Sequence, residues 1–151
     1  MLRVTRLTDY ATVVLTVLAH RPGTVLSAPE LAEAAGLETP TVAKVLKPLA
    51  QAGLVEGFRG AGGGYRLARD ADAITLVEVV EAMEGPLGMT ECSIHAGNCG
   101  IEASCGVRAN WRRINDVVAD ALRGVTLAQM LAPPAPARAA RKAIPAALAR
   151  N

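Results

Sequence analysis

The sequence predicts a mainly α fold, in which helix, turn and helix precede a two-stranded hairpin and a long helix comes late in the chain. Three observations carry this expectation. Aromatic residues are 3% of the 151 residues and apolar ones 51%, with Ala, Leu and Val abundant, which favours helices packed through small aliphatic side chains over a β-sandwich. Capping and stop residues bracket a series of short apolar-periodic segments. A glycine-rich stretch, "LVEGFRGAGGGYRLAR" at residues 54–69, joins two strand-like pieces. A chain this long can bury one core with an extension, but not two large independent domains.

Taken in order, the first helix is expected from Leu7 to His20, with Thr8 as its cap, Asp9 in the first turn, and Arg21-Pro22-Gly23 as its stop. Ser27, Pro29 and Glu30 supply cap, first-turn proline and capping-box acid for a short helix to Ala35, stopped by Gly36. Thr39-Pro40 starts the next helix, which runs to Ala52 and ends at Gly53. Two helices joined at a glycine form a helix-turn-helix pattern. Pro48 should bend the second of them or end its readable part near Lys47, because proline removes one backbone bond.

Strand-like pieces at Leu54–Phe58 and Tyr65–Ala68 then make a β-hairpin, and a hairpin directly after such a helix pair is the wing of a winged helix. Thr75 caps a helix from Leu76 to Glu84, which Gly85-Pro86 stops. Beyond it, Val107, Trp111, Ile114, Val118 and Leu122 step by four, three, four and four, a long amphipathic stripe suited to packing against a twin copy. The alanine- and arginine-rich tail from Ala132 has little to pack and is expected to be disordered. The expected organisation is therefore a winged helix-turn-helix over 1–86, a cysteine loop over 87–106, a dimerisation helix with a short following helix over 107–131, and a tail over 132–151.

Charge is uneven along the chain. Residues 1–69 hold eight basic against five acidic residues (+3), residues 70–131 four against nine (−5), and the tail is +4. The head thus leans toward an anionic partner. On the second helix of the pair, Thr41, Lys44 and Lys47 share a face opposite Val42, Val45, Leu46 and Leu49, presenting short polar and cationic groups as a major-groove reader does. In the wing, Gly62 and Gly63 let backbone approach phosphates closely while Arg59 and Arg66 flank the tip. With Ser27 and Thr39 at the helix starts, these are the candidate contacts to a double-stranded DNA operator. The glycine loop lacks the Gly-Lys-Ser/Thr ending of a phosphate-binding P-loop.

All three cysteines fall in "ECSIHAGNCGIEASCG", residues 91–106. The Val13–Ala19 apolar run is too short for a signal peptide, and no run approaches the roughly 18 to 20 apolar residues of a membrane span. The expectation is a cytoplasmic protein without a membrane partner, in which clustered thiols bind metal or respond to redox change rather than form disulfides. The spacing C-x(6)-C-x(5)-C is neither a ferredoxin nor a zinc-finger spacing, and by itself leaves an iron–sulfur cluster, zinc or inert thiols open. An enzyme using one cysteine with His95 would also need an oxyanion site and a pocket, of which the loop offers little, so no catalytic residues and no small-molecule substrate are expected.

The order "LTDYA", helix-turn-helix, "LAQAGLVEGFRGAGGGYRLAR", "TLVEVVEAMEGPL" and three cysteines resembles the bacterial iron–sulfur-sensing winged-helix repressors of the IscR, NsrR and RirA group. Within that group the likeness is nearest to regulators of the SUF iron–sulfur assembly operon, and it covers residues 1 to about 131. The resemblance implies a homodimer joined through the long helix, a [2Fe-2S] or [4Fe-4S] cluster on Cys92, Cys99 and Cys105, and operator affinity set by the cluster's state. Relatives with a histidine three residues after the last cysteine use it as fourth ligand. Arg108 stands there in this chain and cannot ligate. Asp9, from the partner subunit, is the leading substitute and His95 the second. Ala43 occupies the position where some relatives carry a glutamate that discriminates between operator classes.

Overall fold

Seven α-helices and one two-stranded hairpin occupy residues 3–132, the span that the computed structural model describes apart from Ala96 and Asn98. The expected disordered tail lies, beyond Ala132, outside the described residues. Helices α1 (Arg6–Ala19), α2 (Ala28–Ala35) and α3 (Thr39–Gln51) pack on one another around Ala11, Val14, Leu15, Leu18, Leu31, Val42, Val45, Leu46 and Leu49, each 1% exposed or less. Every one of these sits on an i, i+3, i+4 face, so helical period alone assembles the head's core.

The start of α1 differs from the expected one. Thr5, not Thr8, is the cap: its backbone is extended and its Oγ1 accepts from the Thr8 amide at 3.3 Å. Thr8 is instead buried, 2% exposed, and donates its hydroxyl to Glu84 Oε1 at 2.5 Å. Glu84 also accepts the Thr5 amide at 2.7 Å. The Thr8 hydroxyl and the Thr5 amide hold the Glu84 carboxyl below the usual carboxylate range. A partner 76 residues away therefore decides which threonine is free to cap.

Helix α2 carries the full capping box between Ser27 and Glu30 and ends at Gly36 in the left-handed region (φ 66°). Helix α3 also begins one residue early, capped by Glu38 rather than Thr39, because the Glu38 carbonyl already accepts the Thr41 and Val42 amides at 3.0 and 3.1 Å. Pro48 lies inside α3 without ending it. The helix continues to Gln51, since the one bond Pro48 forgoes falls near the C-terminal end and Val45, Leu46 and Leu49 remain packed around it.

Strands β1 (Val55–Phe58) and β2 (Gly64–Leu67) pair antiparallel, Val55 opposite Leu67 and Phe58 opposite Gly64. Leu26 adds a third, single-residue rung: Leu26 N donates to Tyr65 O at 2.9 Å and Tyr65 N to Leu26 O at 2.7 Å. That approach explains Gly64, where an added Cβ would meet the Leu26 carbonyl carbon at 2.5 Å and the Ser27 nitrogen at 2.8 Å, both backbone. Gly64→Ala is expected to destabilise the protein by about 1–3 kcal/mol by forcing the wing off α2. Urea titration reads this, with Gly62→Ala, which has open space around it, as the near-neutral comparison.

A 3-10 turn (Ala71–Ala73) leads to α4 (Leu76–Glu84), which starts at Thr75 as expected; Glu78, not singled out from the sequence, accepts the Thr75 amide at 2.8 Å. The cysteine loop contains α5 (Glu91–Ile94) and a second 3-10 turn (Glu102–Ser104), after which come α6 (Arg108–Arg123) and α7 (Leu127–Leu131). The two helix starts at Thr75 and Thr126 pair with each other, Leu76 N to Val125 O and Leu127 N to Ile74 O, both at 2.8 Å. Leu127, 2% exposed, thereby joins the core built by α1 to α3. Among the described residues no helix is long and apolar enough to cross a membrane.

Candidate nucleic-acid interface and cysteine loop

Because α3 turns Val42, Val45, Leu46 and Leu49 inward, its opposite side presents Thr39, Pro40, Ala43, Lys44 and Lys47 to solvent. Thr41 is half-buried at the edge of that face. Among the described residues, Lys44, Lys47 and Arg59 take part in none of the ion pairs, which leaves their charges to an external anion. Arg59 is exposed beside the wing tip, where Gly60 adopts φ 100° and Gly63 N closes a turn onto Gly60 O at 3.0 Å.

Two of the sequence-predicted contacts are committed inside the protein. Arg66 is held across the hairpin by Glu56, Nη2 to Oε2 at 3.0 Å, and its guanidinium stacks 4.8 Å from the Phe58 ring centroid. Ser27 gives its hydroxyl to Glu30 Oε2 at 2.7 Å, and this bond and the Ser27 amide hold the Glu30 carboxyl below its ordinary range. Both residues shape the candidate interface, on which α3's lysines and Arg59 are the cations outside any ion pair among the described residues.

The cysteine loop is built on short turns rather than on periodic structure. Cys92 lies in α5, its Sγ 3.3 Å from Thr90 Oγ1; the Cys99 carbonyl accepts the Glu102 amide at 3.0 Å; and Cys105 follows the second 3-10 turn, three residues before α6 begins. All three are free thiols and half-buried. The loop is tied to α6 by Met89 N donating to Asn115 Oδ1 at 3.2 Å, and by an ion pair between Glu102 and Arg108, in which Glu102 is 10% exposed. Glu102 also accepts the Gly97 amide. An open cavity of about 520 Å³ beside the start of α6 is lined by Cys105, Glu102, Arg108, Arg112 and Asp116.

Two observations bear on whether this loop fits an iron–sulfur cluster. Its donor set is right in type: three soft sulfur ligands on one segment, none consumed in a disulfide. Arg108 Nε, next to Cys105 on the cavity wall, is buried and without a hydrogen-bond partner, a donor available to a sulfur acceptor. Among the described residues no three His, Cys, Asp or Glu side chains converge on one point. Asp9 is exposed in the first turn of α1, in a shallow pocket with Arg3, Val4, Thr5 and Arg6, and His95 is exposed at the end of α5. Neither is held by the loop's cysteines.

Along α6, only Ala119 is fully buried. Val107 (54% exposed), Trp111 (38%) and Ile114 (43%) form an open apolar stripe, and Val117 (62%), missed in the four-and-three stepping, belongs to it because it follows Ile114 by three. Val118 and Leu122 are half-buried and turn toward Val4, Val80 and Leu87.

Comparison with known proteins gives these features a common setting. Residues 4–133 match the Rrf2 family, described as iron-dependent transcriptional regulators. Protein aau3 of Rhizobium meliloti strain 1021 is 38% identical over 128 residues, covering 83% of this chain and 82% of the relative. Among solved structures, CymR, the global cysteine regulator of B. subtilis, superposes with a TM-score of 0.67 at 30% identity, covering 87% of this chain and 97% of its own. T. potens IscR does so with a TM-score of 0.64 at 28% identity, covering 86% of both chains.

Proposed function

The chain belongs to the Rrf2 family of transcriptional regulators, and on that premise we propose that it is a homodimeric repressor whose operator affinity is set by an iron–sulfur cluster on Cys92, Cys99 and Cys105. The observation that carries this reading is the position of three free, half-buried thiols on a loop that runs directly into the helix bearing the uncovered apolar stripe. When bound, the cluster supplies an electron-transfer and ligand-exchange centre sensitive to iron supply and oxidants. The genes controlled are those of iron–sulfur assembly or stress defence, and the protein works in the cytoplasm, where its operator lies.

The chain's own residues divide the work. Lys44, Lys47 and Arg59 meet phosphates, while Thr39, Thr41 and the α3 face approach base edges. The stripe from Val107 to Val117 joins two copies so that two α3 helices address successive major grooves. Asp9 of the partner subunit completes the ligand set, with His95 as the alternative. Glu102 and Arg108 clamp the loop to α6, and Glu84 ties the end of α4 to the start of α1, so a change in the loop's fold reaches the head through two fixed points. The ligand can shift operator binding only by its differential affinity for the two settings, about 1–3 kcal/mol for such couplings, or roughly 5- to 150-fold.

Absorption of anaerobically purified protein, with iron and acid-labile sulfide quantified on the same sample, tests the reading. Brown protein with matched iron and sulfide is expected, together with colourless Cys92→Ala protein of unchanged helical content and operator affinity altered at least fivefold. Colourless wild type that resists reconstitution would leave a winged-helix DNA binder whose thiols hold zinc or sense oxidation directly.

A further inference from the structure

The acidic residues of the DNA-facing head are unequally employed. Glu30 is locked into the α2 capping box and Glu56 is paired with Arg66. Glu38 differs from both. It caps α3, is exposed, and makes no side-chain capping bond; its backbone carbonyl, not its carboxylate, takes the first-turn amides. The usual reason for an acceptor side chain at a helix start is therefore not in use here.

A free carboxylate at the mouth of a groove-reading helix is unfavourable beside phosphates. Lys44 and Lys47 lie about 9 and 14 Å farther along the axis, so neither neutralises it directly. Thr39, Pro40 and Ala43 around it are exposed, and the shortness of Ala43 leaves the approach open. In the major groove a carboxylate finds its match in the cytosine N4 amino group. Guanine offers only acceptors at N7 and O6, thymine offers O4, and adenine sets its amino group beside the N7 acceptor. The same charge that welcomes cytosine repels the others, so discrimination is built by repulsion as much as by attraction.

We propose that Glu38 is a base-reading residue that selects cytosine at the half-site position met by the start of α3. This rests on the operator-binding reading given above. The test is selection of duplexes from a randomised library by the full-length protein, compared with Glu38→Gln and Glu38→Ala, with melting curves confirming that both variants fold. Wild type should enrich one invariant C·G pair per half-site. Glu38→Ala should relax that position alone, lowering discrimination there on the order of tenfold, while Glu38→Gln should move it toward adenine, whose N6 and N7 an amide reads in bidentate fashion. An unchanged motif in both variants, with affinity shifted uniformly or not at all, would overturn the assignment. If wild type enriches no motif, operator binding itself falls, an outcome distinct from an intact motif that ignores Glu38.

Discussion

Leu127→Ala is expected to lower the stability of the whole protein by about 2–5 kcal/mol, although it alters a five-residue helix near the end of the described chain. Leu127 is 2% exposed and lies in the same buried cluster as Leu15, Leu31 and Val45. No neighbour can relax easily into the space, because backbone bonds on both sides, Leu127 N to Ile74 O and Leu76 N to Val125 O, pin the site. Against a typical total of 5–15 kcal/mol, that is a large fraction. Urea titration at one fixed protein concentration reads it, with Met130→Ala as the comparison. Met130 is on the same helix but 45% exposed, and its loss should stay within about 0.5 kcal/mol. Equal midpoints for the two variants would mean that α7 merely rests on the head. The expected difference makes α6 a strut fixed at both ends: through Asn115 and Arg108 to the cysteine loop, and through α7 to the core of the DNA-binding head.

That attachment was not legible in the sequence, and the reason is physical. Leu127, Met130 and Leu131 share a helical face, but a five-residue helix repeats too little to declare which surface it will cover, whereas the core faces of α1 and α3 repeat often enough to announce themselves. The same distinction explains the misplaced caps. Thr8 is a suitable cap by residue type, with Asp9 beside it, yet Glu84 claims its hydroxyl, and Thr5 takes the role. Thr39 before a proline is likewise a good local cap, but the chain already turns at Glu38. The wing was legible because glycines and alternation act locally, although the Leu26 rung that makes Gly64 indispensable depends on contact across the chain. In the cysteine loop the donor chemistry could be read from residue type alone. The arrangement of the thiols could not, since short turns held by side chains such as Glu102 leave no periodic trace.

Ile114→Asp is expected to convert a dimer to a monomer and to weaken operator binding by about 100-fold or more, while leaving the melting of the head nearly unchanged. Ile114 is central in the stripe of Val107, Trp111 and Val117, whose span of ten residues corresponds to about 15 Å of helix. Burying a carboxylate at the centre of such an apolar contact carries a desolvation cost on the order of several kcal/mol, so association is expected to fail. The head is spared because α6 touches it chiefly through Ala119 and Leu122, about 140° and 80° round the helix from Ile114, while Val118 stands at the border of the two faces. Operator affinity should fall steeply, since two half-sites bound through one linked pair gain from effective concentration what two separate heads do not. Sedimentation velocity and operator titration of the same sample decide it. A variant that remains dimeric would place the contact elsewhere, and a monomer that binds the full operator as tightly as wild type would mean that the two heads never act together. If both expected results hold, the cysteine loop acquires its leverage from position: Cys105 precedes by three residues the first turn of the helix on which dimer geometry, and with it the spacing of the two α3 helices, depends.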